Sequence, residues 1–416
     1  MNQKQVKFCI AGAGNRGQAY SQYVLDNPEL AKVVAVAEPR GHYREKMAQM
    51  HGITAENVFS DWKQMAEKSK LADAVIISTQ DEMHCEPAIA FAKKGYHIML
   101  EKPMAQNKED CQAIVAAVIE ADVIFAVCHV MRYTRYTRKL KEILDSGIIG
   151  EVVSIQHLEP VGYWHQAHSF VRGNWRNEEE SSFMLLAKSC HDMDWLRHIA
   201  GSRCKKVSSF GNLKHFRKEC KPEGAASRCL DCSCETECPY SAKKIYLDRA
   251  QQGNFGWPVD VLTTDLTIEG VTKALQEGPY GRCAYECDND VVDHQVVNIL
   301  FENGSTAVFT MTAFCQGSDR KTRIFGTRGQ LYGDGSTIEH FDFLTNETNV
   351  VELGYSDGTI ASGHGGGDYG IMKSFVEAVA TGDRSKILSG VQETLKTHLS
   401  VFAAEESRKT GQVIEL

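Results

Sequence analysis

Hydrophobic positions in the first third of the chain come in short unbroken runs separated by helical stretches. Val6-Lys7-Phe8-Cys9-Ile10-Ala11, Lys32 to Ala37, Asp73 to Ser78, Tyr96 to Leu100 and Val123 to Val127 are five such runs. Near-continuous apolar strands alternating with helices predict an α/β domain, a doubly wound parallel sheet covered on both faces. Helices are expected from about Asn15 to Leu25, from Tyr43 to His51, up to Lys94, from Lys108 to Glu120, and over a basic stretch ending at Ser146-Gly147. From Glu151 the pattern shifts to longer strands with hairpin signals: Val152 to Leu158, Lys205 to Leu213, Val291 to Phe301 and Thr306 to Phe314. Asn303-Gly304 is a hairpin turn between the last two. The second part is therefore an α+β domain with a large, open-faced, mostly antiparallel sheet. An apolar run, Ser182 to Ile199, is expected as one helix against that sheet. Two amphipathic segments, Tyr369 to Thr381 and Gly390 to Thr410, close the chain and are expected to pack back on the first domain. The division expected is 1–150 and 151–416, with an irregular, cysteine-rich insertion at about 216–265.

Composition narrows the class. The 416 residues are 43% hydrophobic and 24% charged, as in globular proteins, and the formal net charge is −8. That sign argues against a nucleic-acid or anionic-membrane surface. Met1-Asn2-Gln3-Lys4 runs straight into the first strand without a basic-then-apolar leader, and no apolar run approaches transmembrane length, so a cytoplasmic location is expected. Fourteen cysteines diluted in so long a chain point to thiols or metal ligands rather than disulfides.

The chemistry begins after the first strand. Gly12-x-Gly14-x-x-Gly17 opens the first helix, where glycines let the backbone turn tightly and approach a pyrophosphate seated on free amide N–H groups. Glu38 ends the second strand, where a carboxylate takes ribose hydroxyls of NAD, while Arg40 offers a partner to the phosphate of NADP. Asn15, Arg16, Thr79, His84 and Glu101 are further cofactor-binding candidates. Glu101-Lys102-Pro103 follows the fourth strand at the carboxyl edge of the sheet, the edge where ligands bind. Oxidising a sugar carbon by hydride transfer needs a group that removes the hydroxyl proton and a donor for the developing oxyanion. A lysine side chain supplies both functions, and Lys102 is the candidate.

The glycine motif, Glu101-Lys102-Pro103, Gly147-Ile148-Ile149-Gly150-Glu151 and the tail Gly365-Gly366-Gly367-Asp368-Tyr369-Gly370 together resemble the glucose–fructose oxidoreductase/inositol dehydrogenase (Gfo/Idh/MocA) family. The resemblance covers nearly the whole chain apart from the cysteine-rich insert. It implies a Rossmann domain followed by an open-faced sheet domain that carries substrate specificity and mediates dimers or tetramers. It implies nicotinamide-dependent oxidation or reduction of sugars, amino sugars, cyclitols and related polyols. Some relatives instead retain NAD and cleave glycosidic bonds or rearrange sugars without net redox, and that alternative stays open.

Lys188-Ser189-Cys190-His191-Asp192 forms a second constellation. On the expected helix, Lys188 and His191 share one face, and histidine is the side chain that titrates nearest neutrality. Both are catalytic candidates with Lys102. The family usually has an aspartate four residues before this histidine; here Ala187 stands there. Substrate-binding candidates are His129, Arg132, Tyr163, Trp164, His165, Trp175, Arg176, Asp192 and His364. Cys229-x-x-Cys232-x-Cys234-x-x-x-Cys238 offers four thiols to a structural zinc, with free thiols as the alternative.

Overall fold

The computed structural model describes residues 4–317, 319–354 and 365–416. Six strands form the first sheet: β1 (Val6–Ala11), β2 (Ala31–Ala37), β3 (Val58–Phe59), β4 (Ala74–Ile77), β5 (His97–Leu100) and β6 (Phe125–Val127). Their order is β3-β2-β1-β4-β5-β6, and every pairing is parallel. The order reverses direction beside β1, which opens a crevice at the carboxyl ends of β1 and β4. One face of the sheet buries Phe8, Ile10, Val33 and Ile76 against Phe375, Ile371 and Met372 of the helix Gly367–Thr381. That late helix thus packs on the first sheet, with Phe375 6.2 Å from Phe8.

The second sheet comprises β7 (Val152–Pro160), β8 (Cys204–Asn212), β9 (His294–Phe301), β10 (Thr306–Thr312), β11 (Lys321–Gly326), β12 (Gly329–Gly333), β13 (Thr337–Asp342), β14 (Glu347–Glu352) and β15 (Ile414–Glu415). Its order is β14-β13-β12-β11-β7-β10-β9-β8-β15. Only β7 and β10 pair in parallel; the remaining ladders are antiparallel. The helices Cys190–Ala200 and Val391–Thr410 cover one face, where Trp195 stacks on His157 at 4.6 Å. The other face exposes Phe210 and Val308.

Two expectations change. The apolar run from Ser182 is two helices, Met184–Ala187 and Cys190–Ala200, with Lys188 and Ser189 at the break. Lys188 and His191 therefore do not share a continuous helix face. The cysteine-rich insertion, expected to be irregular, holds a third apolar cluster in which Phe216, Tyr240, Tyr246 and Val259 pack with Val271, Leu275 and Tyr285. Aromatic rings supply the burial that its few aliphatic residues do not.

Candidate active site

The glycine loop follows β1 directly. Gly12 has φ +94°, and a side chain there would strike the Ser78 carbonyl; one on Gly17 would strike the Gly12 carbonyl. Both positions require glycine for close packing, and Gly14 lines the open crevice. Glu38 is 2% exposed. It accepts N–H bonds from Ala13 (2.8 Å) and from Arg40 through the backbone N (3.1 Å), Nε (2.7 Å) and Nη2 (3.0 Å). Burial opposes its charge, but these donors outweigh it and hold the carboxyl below its usual range. A carboxylate offers about four acceptor positions, so all of them are used. Arg40 is half exposed and lies over Tyr43.

Arg16, on the first helix, ties this loop to the next edge. Its guanidinium donates to Glu101 (2.5 Å), the Tyr20 hydroxyl (2.5 Å) and both oxygens of Asp368 (2.6 and 3.1 Å). Burial disfavours the Glu101 charge, yet Arg16 and Lys102 hold that carboxyl below its usual range. Lys102 reaches across to the second part of the chain, where Nζ donates to the Ala187 carbonyl at 2.5 Å. The backbone carbonyl of Ala187 thus meets the lysine at the position where the family usually has an aspartate. His84 is fully buried with Nδ1 2.7 Å from the Pro103 carbonyl and Nε2 3.3 Å from that of Thr79. It braces the turn that carries Lys102. Asp81 accepts from Trp175 Nε1 at 3.2 Å, and burial pushes its carboxyl up against the pull of His84 and Lys102.

Lys188, at the helix break, pairs with Glu159 at 3.2 Å. Arg320 bridges Glu159 (2.9 Å) and Asp192 (2.5 Å), and Asp192 also meets His157 Nε2 at 3.0 Å. Burial opposes the Asp192 charge, but Arg320 and His157 hold it well below the usual range. Asp192 is therefore an anchor for Arg320, and the groups left at the surface of this network are Lys188 and Arg320. His191 is buried, edge-on to His129 at 5.9 Å; His129 lies 5.7 Å from His398. Burial pushes His129 down to about 4 and His398 down to about 3, so both are neutral. Arg132 forks onto Asp194 (2.6 and 2.7 Å) and donates to the Leu388 carbonyl (2.7 Å), a buried structural pair.

Lys102 meets the short segment that carries Lys188 and His191, and Trp175 donates to Asp81. Tyr163, Trp164 and His165 lie on a helical turn, Tyr163–Gln166, rather than a loop. Trp164 and His165 pack on Trp257 at 5.2 and 5.1 Å. Burial, followed by the charge of Lys188, pushes His165 well below its usual range. Arg176 is committed to Asp288 and Glu180. His364 lies outside the described residues. A cleft of about 1120 Å³ runs from Gly12 and Gly14 past Glu38 and Tyr43 to Trp175, Trp257 and Tyr280. Its glycine floor and open length fit a dinucleotide. The zinc expectation is corrected: among the described residues no group of three or more His, Cys, Asp or Glu stands ready to hold a metal ion. Cys229 and Cys234 instead donate to the carbonyls of Arg282 and Glu223.

Sequence reasoning passed over Asp81, Glu159, Trp257, Tyr280, Arg320 and Asp368. One signal was available: His157 and Glu159 alternate with Ile155 on the buried face of β7, where two polar residues demand partners.

Residues 6–129 match the oxidoreductase family with an NAD-binding Rossmann fold, and residues 141–416 match that family's C-terminal alpha/beta domain. The chain belongs to the Gfo/Idh/MocA oxidoreductase family. It is 34% identical over 212 residues to 2,7-anhydro-N-acetylneuraminate hydratase of Escherichia coli K12, covering 50% of this chain and 54% of the relative. It is 26% identical over 210 residues to myo-inositol 2-dehydrogenase of Thermotoga maritima, covering 50% and 59%. The chain thus matches little more than half the length of these curated relatives. A solved oxidoreductase from Agrobacterium radiobacter in complex with NAD+, L-tartaric acid and magnesium shares the fold, with TM-score 0.72 and 15% identity over 99% of this chain and 98% of that one. Among the described residues no helix is long and apolar enough to cross a membrane.

Proposed function

We propose that this family member is a nicotinamide-dependent oxidoreductase acting on a hydroxyl-bearing carbon of a sugar, amino sugar, cyclitol or related polyol. The observation that carries the reading is the Lys102 ammonium meeting the Ala187 carbonyl, on the segment that also holds Lys188 and His191. Gly12, Gly14, Asn15, Arg16 and Gly17 would hold the dinucleotide, with Glu38 at its ribose once Arg40 swings away. The bound nicotinamide supplies the hydride-accepting carbon. Lys102 takes or returns the hydroxyl proton, and its N–H bonds stabilise negative charge on that oxygen. His191 is the second acid/base group at the same carbon. Lys188 and Arg320, tethered by Glu159, hydrogen-bond substrate oxygens, and Trp175 and Trp257 exclude water. NAD is preferred over NADP, because a displaced Arg40 leaves Glu38 to repel the extra phosphate. The exposed apolar positions Phe210 and Val308 on the open sheet face support a homodimer or homotetramer, and a cytoplasmic location fits the thiol-rich composition.

The 34% identity to an anhydro-sugar hydratase supports a second reading, in which tightly held NAD is used catalytically without net redox. Protein purified without added cofactor, incubated with sugars, amino sugars, glycosides and cyclitols, separates the two. A dehydrogenase changes nicotinamide absorbance one-for-one with product. A redox-neutral enzyme makes product with no net change. Neither product nor absorbance change across the panel would remove both.

A further inference from the structure

Beside the cleft lies a second cavity, of about 350 Å³, walled by Arg172, Arg176, Arg228 and Arg282 together with Asn174 and Tyr280. One carboxylate on that wall, Glu277, is exposed. Guanidinium groups gathered this closely repel one another unless anions answer them. Asp288 answers two. It accepts from Arg176 Nε (3.0 Å) and Nη2 (2.9 Å) and from Arg282 Nη1 (2.8 Å), and Glu180 pairs with Arg176 at 2.8 Å.

Arg172 and Arg228 meet carbonyls instead. Arg172 is 1% exposed; its Nε donates to the Arg282 carbonyl and Nη2 to that of Tyr240, each at 2.8 Å, with the Cys229 sulfur at 3.5 Å. Arg228 Nη2 donates to the carbonyls of Leu275 and Gly278, each at 2.6 Å. That bond caps the helix Ile268–Glu277, so the negative end of the helix is already met by a cation. Arg172 Nη1 and Arg228 Nε are buried without a partner. A buried cation ordinarily has an anion beside it, because a lone one loses its hydration without compensation. Nearer the surface, Arg176 Nη1, Arg228 Nη1 and Arg282 Nη2 make no hydrogen bond among the described residues. An antiparallel bridge sets Arg228 opposite Arg282.

We propose that this cavity binds a phosphate group, held by Arg176, Arg228 and Arg282 in the positive field that the buried Arg172 completes. The guanidinium fork matches both carboxylate and phosphate oxygens. Three guanidinium groups from separate segments outnumber the two oxygens of a carboxylate and suit the larger oxygen set of a phosphate. The volume falls within the range of small-molecule sites, about 300–1,000 Å³. Asn174 and Tyr280 line both this cavity and the cleft, so a phosphate seated here directs the body of a phosphorylated ligand toward the cleft. The site does not depend on the hydride transfer proposed above, and its test measures binding rather than turnover.

Calorimetric titration of the full chain with inorganic phosphate, at saturating NADH so that the glycine loop is filled, tests it. Binding is expected, weakened about tenfold or more in Arg228→Gln and in Arg282→Gln, as for the loss of a hydrogen bond to a charged group. Phenylglyoxal labelling of the unmutated protein serves if these variants do not fold: phosphate should protect Arg228 and Arg282, read by peptide mass mapping. No binding up to about 10 mM phosphate would overturn the site, as would equal affinity in both variants, or labelling that phosphate leaves unchanged. Glucose 6-phosphate separates the two sources of the group. Binding about tenfold tighter than inorganic phosphate upholds the site as the anchor of a phosphorylated ligand, and equal binding upholds it for free phosphate.

Discussion

The edge of the parallel sheet and the ion-pair network under the helix Cys190–Ala200 are built by opposite means. Around Glu38 the partners are Arg40 and the Ala13 amide, 2 and 25 residues away, whereas Arg16 on the same loop reaches Glu101 and Asp368, 85 and 352 residues away. Under the helix, Asp192 meets His157 and Arg320, 35 and 128 residues away, and Arg132 meets Asp194 across 62. In the first region the pair that covers Glu38 is at the wall of an open cleft, with Arg40 half exposed; in the second the charges are spent on one another in the interior. Exposed groups at a crevice are available for chemistry. Buried, mutually satisfied charges fix positions, and removing one member leaves an uncompensated charge.

The largest effect expected is at the lysine after β5. Lys102→Ala lowers turnover by about two to four orders of magnitude on the identified substrate, as for loss of a general acid/base, while NADH binding measured by fluorescence persists. His191→Ala behaves alike. Near-normal turnover in either variant would move the reacting centre elsewhere.

Arg132→Ala is the reverse experiment. Stability falls by about 3–5 kcal/mol, since Asp194 is left buried and charged. Arg176→Ala, at an ion pair with the half-exposed Asp288, costs about 1 kcal/mol or less. Urea unfolding midpoints decide it, and equal losses at the two sites would erase the distinction.

Acid sharpens it further. His129 and His398 are held down to about 4 and about 3, below the ordinary histidine value near 6.5. Between those limits the unfolded chain binds more protons than the folded one, so stability rises with pH. Unfolding free energy should drop by about 1.4 kcal/mol per pH unit for each of the two histidines as pH falls from 6.5 toward 4. His398→Gln should remove one such contribution from the slope, and an unchanged slope would contradict a neutral buried imidazole.

The smallest effect expected is at the cofactor edge. Arg40→Ala bares the Glu38 carboxylate and should weaken NADPH relative to NADH by about tenfold, the repulsion of one charge at a half-exposed site. Titration of both dinucleotides measures the ratio; a shift toward NADPH would assign Arg40 no role in neutralising Glu38.

Period and spacing were enough to read the parallel sheet, the glycine turn, the placement of Glu38 and the lysine after β5. Each of these depends on local rules: strands covered on both faces are continuously apolar, and tight turns beneath a ligand need glycine. Of the open second sheet, β7 to β10 were legible from their length and hairpin turn, while β11 to β15 were not. Tertiary structure alone decided the break at Lys188, the bridging of Glu159 and Asp192 by Arg320, the sealing of Arg132 onto Asp194, and the meeting of Cys229 with the Arg282 carbonyl. Those pairings join residues separated by tens to hundreds of positions. A charge's partner is set by which buried surfaces the fold brings together, and no local period records that choice.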